Sequence, residues 1–456
     1  RRGLLRLSEP VERLTAAEAE DRQRRAAGGL AALGLGEGDR VGVLAPSGTG
    51  LLVAVLGALR SGVVPVVVDP SLTADERRVV LDDAEVAVLL DEASLAGLED
   101  GATPRELAPW PRARPMHYTS GTTGRPKGVW SGLLSDDDAA ALQREEQELW
   151  GFGPADDHVV CSPLHHSAPI RFAAGTLAAG GTVTVLGRFS PARFRAAVRS
   201  AEGPVTAFTV PTHLQRLLAA DLPDLSGFRL LAHAGAPCPE SLKRAVIERF
   251  PPGSVWEFYG STEGQFTACP SAEWEEHPGT VGRARPGRSL SVDPNGTIWC
   301  AVPEHARFRY WRDEAATASA WRGDRFTVGD LGRLDEAGYL YLDGRREDLV
   351  ITGGVNVYPA EVESVLSDCP GVGEIAVFGV DDDQWGQRVC AAVVGEVTDH
   401  ELGAYATEHL APPKRPKQVV RVDELPRTAT GKIVRRALSE GAAGGRDGVG
   451  QAKSST

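Results

Sequence analysis

Two rhythms of apolar and polar residues share the first hundred positions of the chain. One is the spacing of an amphipathic helix, and the other is the short continuous apolar run of a buried strand. Thr15 with Glu18 makes a capping box, and a helical pattern follows it to Gly34. RVGVLA reads as a short strand, Ser47 as the cap of a helix running to about Arg60, and VVPVVVD as a second strand. Thr73 with Glu76 makes another capping box, and VAVLL a third strand. The alternation returns in GTVTVLG, a helix over 191–201, VTAFTV, a helix over 213–219, and FRLLAHAG. Strands alternating with helices imply right-handed crossovers and mainly parallel sheets. The fold class predicted is α/β, with two such layers before residue 300.

Past residue 325 the texture changes. GYLYLDGR and DLVITGG read as paired strands with Asp343-Gly344 as the turn. YPAEVESVLSD reads as a helix with Pro359 in its first turn, and EIAVFGV, VCAAVVG and QVVRVDEL as strands. This portion predicts a small α+β domain. The ending GAAGGRDGVGQAKSST is Gly-rich and polar, the composition of a disordered tail.

Composition narrows the function classes. Of the 456 residues, 42% are hydrophobic and 24% charged, as in ordinary globular domains, and three domain-lengths leave room for a large core. The net charge of −13 argues against nucleic acid or an anionic membrane as partner. The six cysteines, at 161, 238, 269, 300, 369 and 390, form no CxxC pair and read as buried free thiols in a reducing compartment. RRGLLRLSEPVERL is basic but has no apolar h-region, so no secretory signal is visible. The most apolar run is cut by Arg60 and Pro65, too short for a membrane span. These readings predict a cytoplasmic protein.

One stretch fits neither rhythm. HYTSGTTGRPKGV, from His117 to Val129, follows a strand end and mixes glycines, hydroxyls, Arg125 and Lys127. Exposed backbone N–H groups with interleaved hydroxyls make an anion cradle, and two cations at its end point to a polyphosphate. It is not a Walker A loop, because Pro126 stands where that motif needs glycine.

YTSGTTGRPKGV resembles the phosphate loop of the adenylate-forming superfamily, which includes acyl-CoA synthetases, adenylation domains of peptide synthetases and luciferases. SPLHHSAP, HAGAP, FYGSTEG, the pair FTVGDLG with DGRRED, GGVNVYPAEVE and LPRTATGKIVRRAL follow in that family's order, over roughly residues 15–440. The resemblance implies a large AMP-binding domain over residues 1–344, a hinge at 345–347, a mobile domain over 348–440 and a tail over 441–456. It implies ATP, magnesium and CoA, and a reaction in two halves. A carboxylate attacks the α-phosphate of ATP to give acyl-AMP and pyrophosphate, and a thiol then displaces AMP. The first half sets an anion against a polyanion. Two unit charges 4 Å apart repel by about 4 kcal/mol at an effective dielectric near 20, so cations must gather where charge builds.

Site residues follow from the resemblance. Thr119, Ser120, Gly121, Thr122, Thr123, Gly124 and Lys127 would cradle the phosphates. Lys432 would bridge the carboxylate and the ATP oxygens. Thr262 would bond the α-phosphate and Glu263 would serve magnesium. Tyr259, followed by Gly260, would stack on adenine, with Gly235, Ala236 and Pro237 as the thin opposite wall. Asp330 would accept from the ribose hydroxyls with Arg345 assisting. His166 would line the carboxylate pocket, while His165 stands where the family has Phe or Tyr and has either a packing or a direct role. Adjacent histidines in a strand would face opposite ways and could not share a metal ion. Glu347 takes the hinge position, usually Asp or Lys, and Gly353 with Gly354 would wall a pantetheine tunnel. Pocket walls would come from His166, FTVPTH, AHAGAP and the surroundings of Phe258, sized for an aryl or short-to-medium acyl group.

The ending PRTATGKIVRRAL favours a CoA ligase. The histidine motif also lacks the aspartate that amino-acid-activating domains use. The alternatives are an enzyme loading a separate phosphopantetheinyl carrier protein and a nucleotide-binding protein that has lost catalysis.

Overall fold

In the computed structural model, residues 11–119, 126–345, 348–352, 355–382, 385–427 and 433–444 are described. Along the chain, β1 (Glu12–Thr15) leads into α1 (Ala16–Ala32), β2 (Arg40–Leu44), α2 (Thr49–Arg60), β3 (Val64–Val67), α3 (Ala74–Asp83), β4 (Val88–Asp91) and α4 (Glu92–Ala96). β2 pairs parallel with β3 on one side and β4 on the other, as expected of strand–helix alternation. α2 is apolar on every side and is buried almost throughout its length. The boxes at Thr15–Glu18 and Thr73–Glu76 form on both arms. Ser47 is a correction. It does not cap α2; its hydroxyl accepts from the Leu164 amide at 2.8 Å. The Glu12 carboxylate takes the capping role instead, accepting from Thr49 N at 2.7 Å and Thr49 Oγ1 at 2.6 Å.

The next segment carries a hairpin, β5 (His117–Thr119) with β6 (Lys127–Trp130), and α5 (Asp136–Trp150). It continues with β7 (Asp157–Val160), α6 (Ser167–Ala178), β8 (Thr182–Val185), α7 (Pro191–Ser200) and β9 (Val205–Thr209). Then come α8 (Pro211–Leu218), β10 (Phe228–His233), α9 (Glu240–Arg249), β11 (Val255–Glu257) and β12 (Thr267–Pro270). α10 (Ser271–Glu276) and β13 (Arg283–Ala284) complete an eight-stranded sheet in the order β1-β8-β7-β9-β10-β11-β12-β13. Strands β7 to β11 are parallel, while β1 and β12 pair antiparallel at either side of them. The core of this layer is apolar on both faces, built on residues such as Val159, Ala207 and Leu231 on one side and Phe172, Leu230 and Ala232 on the other.

After this sheet come β14 (Ser289–Val292), β15 (Ile298–Ala301), β16 (Arg309–Tyr310), α11 (Glu314–Ala320), β17 (Trp321–Arg322) and β18 (Arg325–Phe326). They are followed by β19 (Asp330–Leu334) and β20 (Leu340–Arg345). Asp343-Gly344 is a second correction. It is not a turn but part of β20, which pairs with β19, and Gly344 sits opposite Leu331 at a register shift. The turn lies earlier, where the Asp335 carboxylate accepts from Ala337 N and Tyr339 N. The last portion contains β21 (Val350–Thr352), β22 (Val355–Val357), α12 (Pro359–Leu366), β23 (Val372–Asp382), β24 (Gly386–Gly395), α13 (Asp399–His409), β25 (Gln418–Arg421) and α14 (Arg435–Gly444). α12 and α13 pack on one core with Val377, Val389 and Val393 of the sheet, the α+β arrangement expected. Residues 441–444, expected to belong to the tail, complete α14, and Ala442 is buried beside Leu438.

No helix among the described residues is long and apolar enough to cross a membrane. The six cysteines are free, and five of them are buried.

Candidate active site

Parallel strands present their carboxyl ends on one side of a sheet, and the loops that leave there converge. His166 follows β7, Val210 follows β9, Gly235, Ala236 and Pro237 follow β10, and Tyr259 to Glu263 follow β11. Four sequence motifs separated by up to about a hundred positions therefore share one rim. Gly235 turns the chain with φ +90°, and residues 235–237 are exposed, leaving an open wall. Gly260 lets the chain double back, since a Cβ there would stand 2.9 Å from Gln265 Cα.

The adenosine candidates meet. Tyr259 Oη donates to Asp330 Oδ2 at 2.5 Å, and both residues are buried. Thr267 Oγ1 accepts from Tyr259 N at 3.0 Å, which holds the ring's backbone in place. Asp330 begins β19, and its register partner on β20 is Arg345, so strand pairing sets those two positions side by side.

The phosphate-side candidates form a second group. β5 and β6 hold Thr119 opposite Lys127, the two described residues that flank the glycine-threonine stretch most closely in the pairing. β16 pairs with β6 and carries Tyr310 alongside. The Lys127 ammonium lies 5.2 Å from the Tyr310 ring, and Tyr310 Oη donates to Glu263 Oε1 at 2.9 Å. Glu263 is buried, and a carboxylate is the kind of hard oxygen donor that magnesium takes. Thr262 is half-buried next to it. Ser120, Gly121, Thr122, Thr123 and Gly124 lie outside the described residues, as do Arg125, Glu347, Gly353, Gly354 and Lys432.

The histidine pair is a third correction. His166 is the residue capping α6, not part of a strand, and its ring lies 4.4 Å from that of His165 in an edge contact. His165 Nε2 is 3.5 Å from Asp69 Oδ2. Burial holds the His165 imidazole below its ordinary pKa, with Asp69 opposing. His117, on β5, is pushed down to about 3 by burial and by His166 and His165, so it is neutral. Among the described residues no group of three side chains could hold a metal ion.

Several positions beyond the sequence motifs support the site. Arg114 donates to the carbonyl of Glu263 at 3.1 Å and to that of Arg307 at 3.0 Å, tying the Glu263 loop to the segment that leads into β16. Burial, with Arg288 and Arg171 nearby, lowers its pKa to about 10. Beneath the 235–237 wall, Lys243 Nζ reaches His233 Nε2 at 2.7 Å and Glu257 Oε2 at 3.0 Å, all three buried. An ammonium only donates, so Nε2 accepts and the His233 proton rests on Nδ1. Burial and Lys243 keep that imidazole neutral. No local pattern in RARPM or ESLKRAV marks these residues, because their partners lie on other strands.

A nucleotide cradle at the carboxyl ends of parallel strands, followed by a small α+β unit, defines the class as an adenylate-forming enzyme. The profile of the AMP-binding enzyme family matches residues 5–109 and 108–299, and that of the AMP-binding enzyme C-terminal domain matches 361–432. The 2-succinylbenzoate–CoA ligase of Bacillus cereus (strain Q1) is 30% identical over 467 residues, covering 94% of each chain. The o-succinylbenzoate CoA synthetase of Bacillus subtilis, solved with its acyl-adenylate intermediate, superposes with TM-score 0.84 at 28% identity over 92% of each chain. ATP-bound MatB from Rhodopseudomonas palustris superposes with TM-score 0.79 at 31% identity, covering 94% of this chain and 93% of that one. The chain belongs to the AMP-binding enzyme family. It is an AMP-forming acid–thiol ligase, joining a carboxylic acid to CoA by way of acyl-AMP, with ATP and magnesium.

Proposed function

We propose that the two groups of residues described above divide the nucleotide between them. Tyr259 stacks on adenine against Gly235, Ala236 and Pro237, and Asp330 with Arg345 takes the ribose hydroxyls. Lys127, Thr262 and the 119–124 loop hold the phosphates, while Glu263 holds the magnesium ion that screens their charge. His166 lines the mouth through which the carboxylate arrives, and Lys432 neutralises the carboxylate and ATP oxygens as they approach. The observation that carries this reading is the convergence of Tyr259–Asp330 and Lys127–Tyr310–Glu263 from four separate segments.

The carboxylate oxygen forms a bond to the α-phosphorus as the bond to pyrophosphate breaks. The CoA thiolate then attacks the acyl carbon and AMP leaves. Lys432 and the thiol need the same face of the site, so the portion after the Glu347 hinge rotates between halves and Gly353 with Gly354 walls the thiol's tunnel. Phe208, Val210, Ala234 and Phe258 join Ala168 in one apolar cluster beside His166, which supports an aryl or short acyl body. The ligases of Bacillus named above act on 2-succinylbenzoate, and an aromatic acid of that kind suits these walls.

The test separates the two halves. The Lys432→Ala enzyme is expected to lose ATP–pyrophosphate exchange by at least a hundredfold, on the order seen when one transition-state stabiliser is removed. It is also expected to convert supplied acyl-AMP and CoA to thioester at a near-native rate. Equal loss in both halves would remove Lys432 from its role, and transfer to a phosphopantetheinylated carrier in preference to CoA would change the acceptor.

A further inference from the structure

The two walls assigned to adenine leave neighbouring strands and then part. His233 ends β10, Glu257 ends β11, and the two are register partners in the parallel ladder. One more backbone bond follows, from Phe258 N to the His233 carbonyl at 3.1 Å. Gly235 then turns its segment with φ +90°, residues 235–237 stand exposed, and Tyr259 stays buried. The ladder between β10 and β11 ends at His233 and Glu257, so the spacing of the walls beyond it rests on side chains and turns.

Lys243 supplies a tie at that point. It lies on α9, just after the 235–237 segment, and its side chain is 1% exposed, with His233 and Glu257 buried around it. Nζ donates to His233 Nε2 at 2.7 Å and to Glu257 Oε2 at 3.0 Å. The first bond closes the base of the loop that carries Gly235, Ala236 and Pro237. The second fastens that base to the strand leading into Tyr259. One ammonium is thus bonded to both strand ends. Stability is a poor reason for the arrangement. Taking a Lys–Glu pair out of water costs about what the pair returns, and apolar residues of similar volume often serve as well. Apolar neighbours are at hand, since Leu231, Val246 and Val255 of the same three elements share one core. What the ion pair adds is direction, because its hydrogen bonds hold two partners at fixed distance and angle. A slot for a flat ring needs this, since its walls must keep one spacing before the nucleotide arrives.

Resting on the adenine slot described under the proposed function, we propose that Lys243 is a positioning residue for the nucleotide. Bonded to His233 and Glu257, it holds the 235–237 wall and Tyr259 one purine apart, and so sets both affinity for ATP and preference for its base. It acts through the two strand ends and touches no reacting atom.

Equilibrium dialysis of the full-length protein against ATP or GTP, each with magnesium, tests this without an acid substrate. The native protein is expected to bind ATP about tenfold or more tighter than GTP, the worth of one well-placed hydrogen bond to the base. Lys243→Met should weaken ATP binding on the order of tenfold and narrow that preference, the size of coupling expected between groups in one network. This variant strands the Glu257 carboxylate without its cation, so Lys243→Met with Glu257→Leu is made beside it, removing both charges at similar volume. The double variant should keep Tm within about 5 °C of native and show the same loss of ATP affinity and base preference. A folded double variant with native affinity and preference overturns the proposal. A fall in Tm with base preference intact in either variant is the mark of a purely structural tie and also overturns it. Equal binding of ATP and GTP by the native protein would instead remove the adenine slot itself, and the proposal with it.

Discussion

At the scale of single residues, the site depends on a few side chains that each hold another in place. Asp330 receives the Tyr259 hydroxyl, so the carboxylate that fixes the aromatic ring is the one proposed for the ribose. Asp330→Asn is expected to raise KM for ATP on the order of 10–10²-fold, as loss of hydrogen bonds to a charged group does, with kcat changed less. Steady-state kinetics with ATP varied at saturating acid decides it, and an unchanged KM would place the ribose elsewhere. His165 shows how a side chain's neighbours decide its state. The sequence left its role open between packing and chemistry, and in the fold it is half-buried against Asp69 and His166, with burial favouring its neutral form.

Helix ends carry the argument at the scale of elements. Thr15, Thr73 and Thr398 each cap with a glutamate three residues on, a pattern legible from spacing alone. α2 starts differently, because its cap comes from Glu12 on β1, thirty-seven positions away in sequence. Ser47, the residue with local capping chemistry, is turned to Leu164 and ties the start of α2 to the segment before His166. Glu12→Ala is expected to cost about 1–2 kcal/mol of unfolding free energy, the range for a lost N-cap. Urea titration at neutral pH measures this, and a midpoint unchanged from native would show the cap to be dispensable. Ser47→Ala should cost less globally but slow adenylation, since it loosens the entry to the His166 segment.

At the scale of the whole molecule, the large portion buries imidazoles that must stay neutral. His117 and His158 are both lowered to about 3 by burial, with His166 and His165 adding to His117 and Arg229 adding to His158. The unfolded chain binds these protons near the ordinary value of 6.5, so between 6.5 and 3 it holds more protons than the folded one. Stability therefore rises with pH through this window and is lost on acidification below 6.5. Each imidazole accounts for roughly 2 kcal/mol between pH 6.5 and 5. Urea unfolding at a series of pH values should show the loss, and His158→Gln should reduce its slope by about one proton. An unaltered slope in that variant would mean His158 is charged when folded.

The chain's own pattern determined the elements and their class. Alternating runs required parallel sheets, and the order of motifs marked the ligase family. These features are local, carried by neighbours a few positions apart. Which residues face one another was decided by the tertiary structure. Tyr310 reaches Glu263 because β16 pairs with β6, and Arg114 reaches the same loop across 149 positions. Asp343-Gly344, a turn by local chemistry, became strand because β19 offered a longer ladder. Spacing along a chain encodes backbone propensity, whereas burial and Coulomb energy depend on distances that exist only after folding.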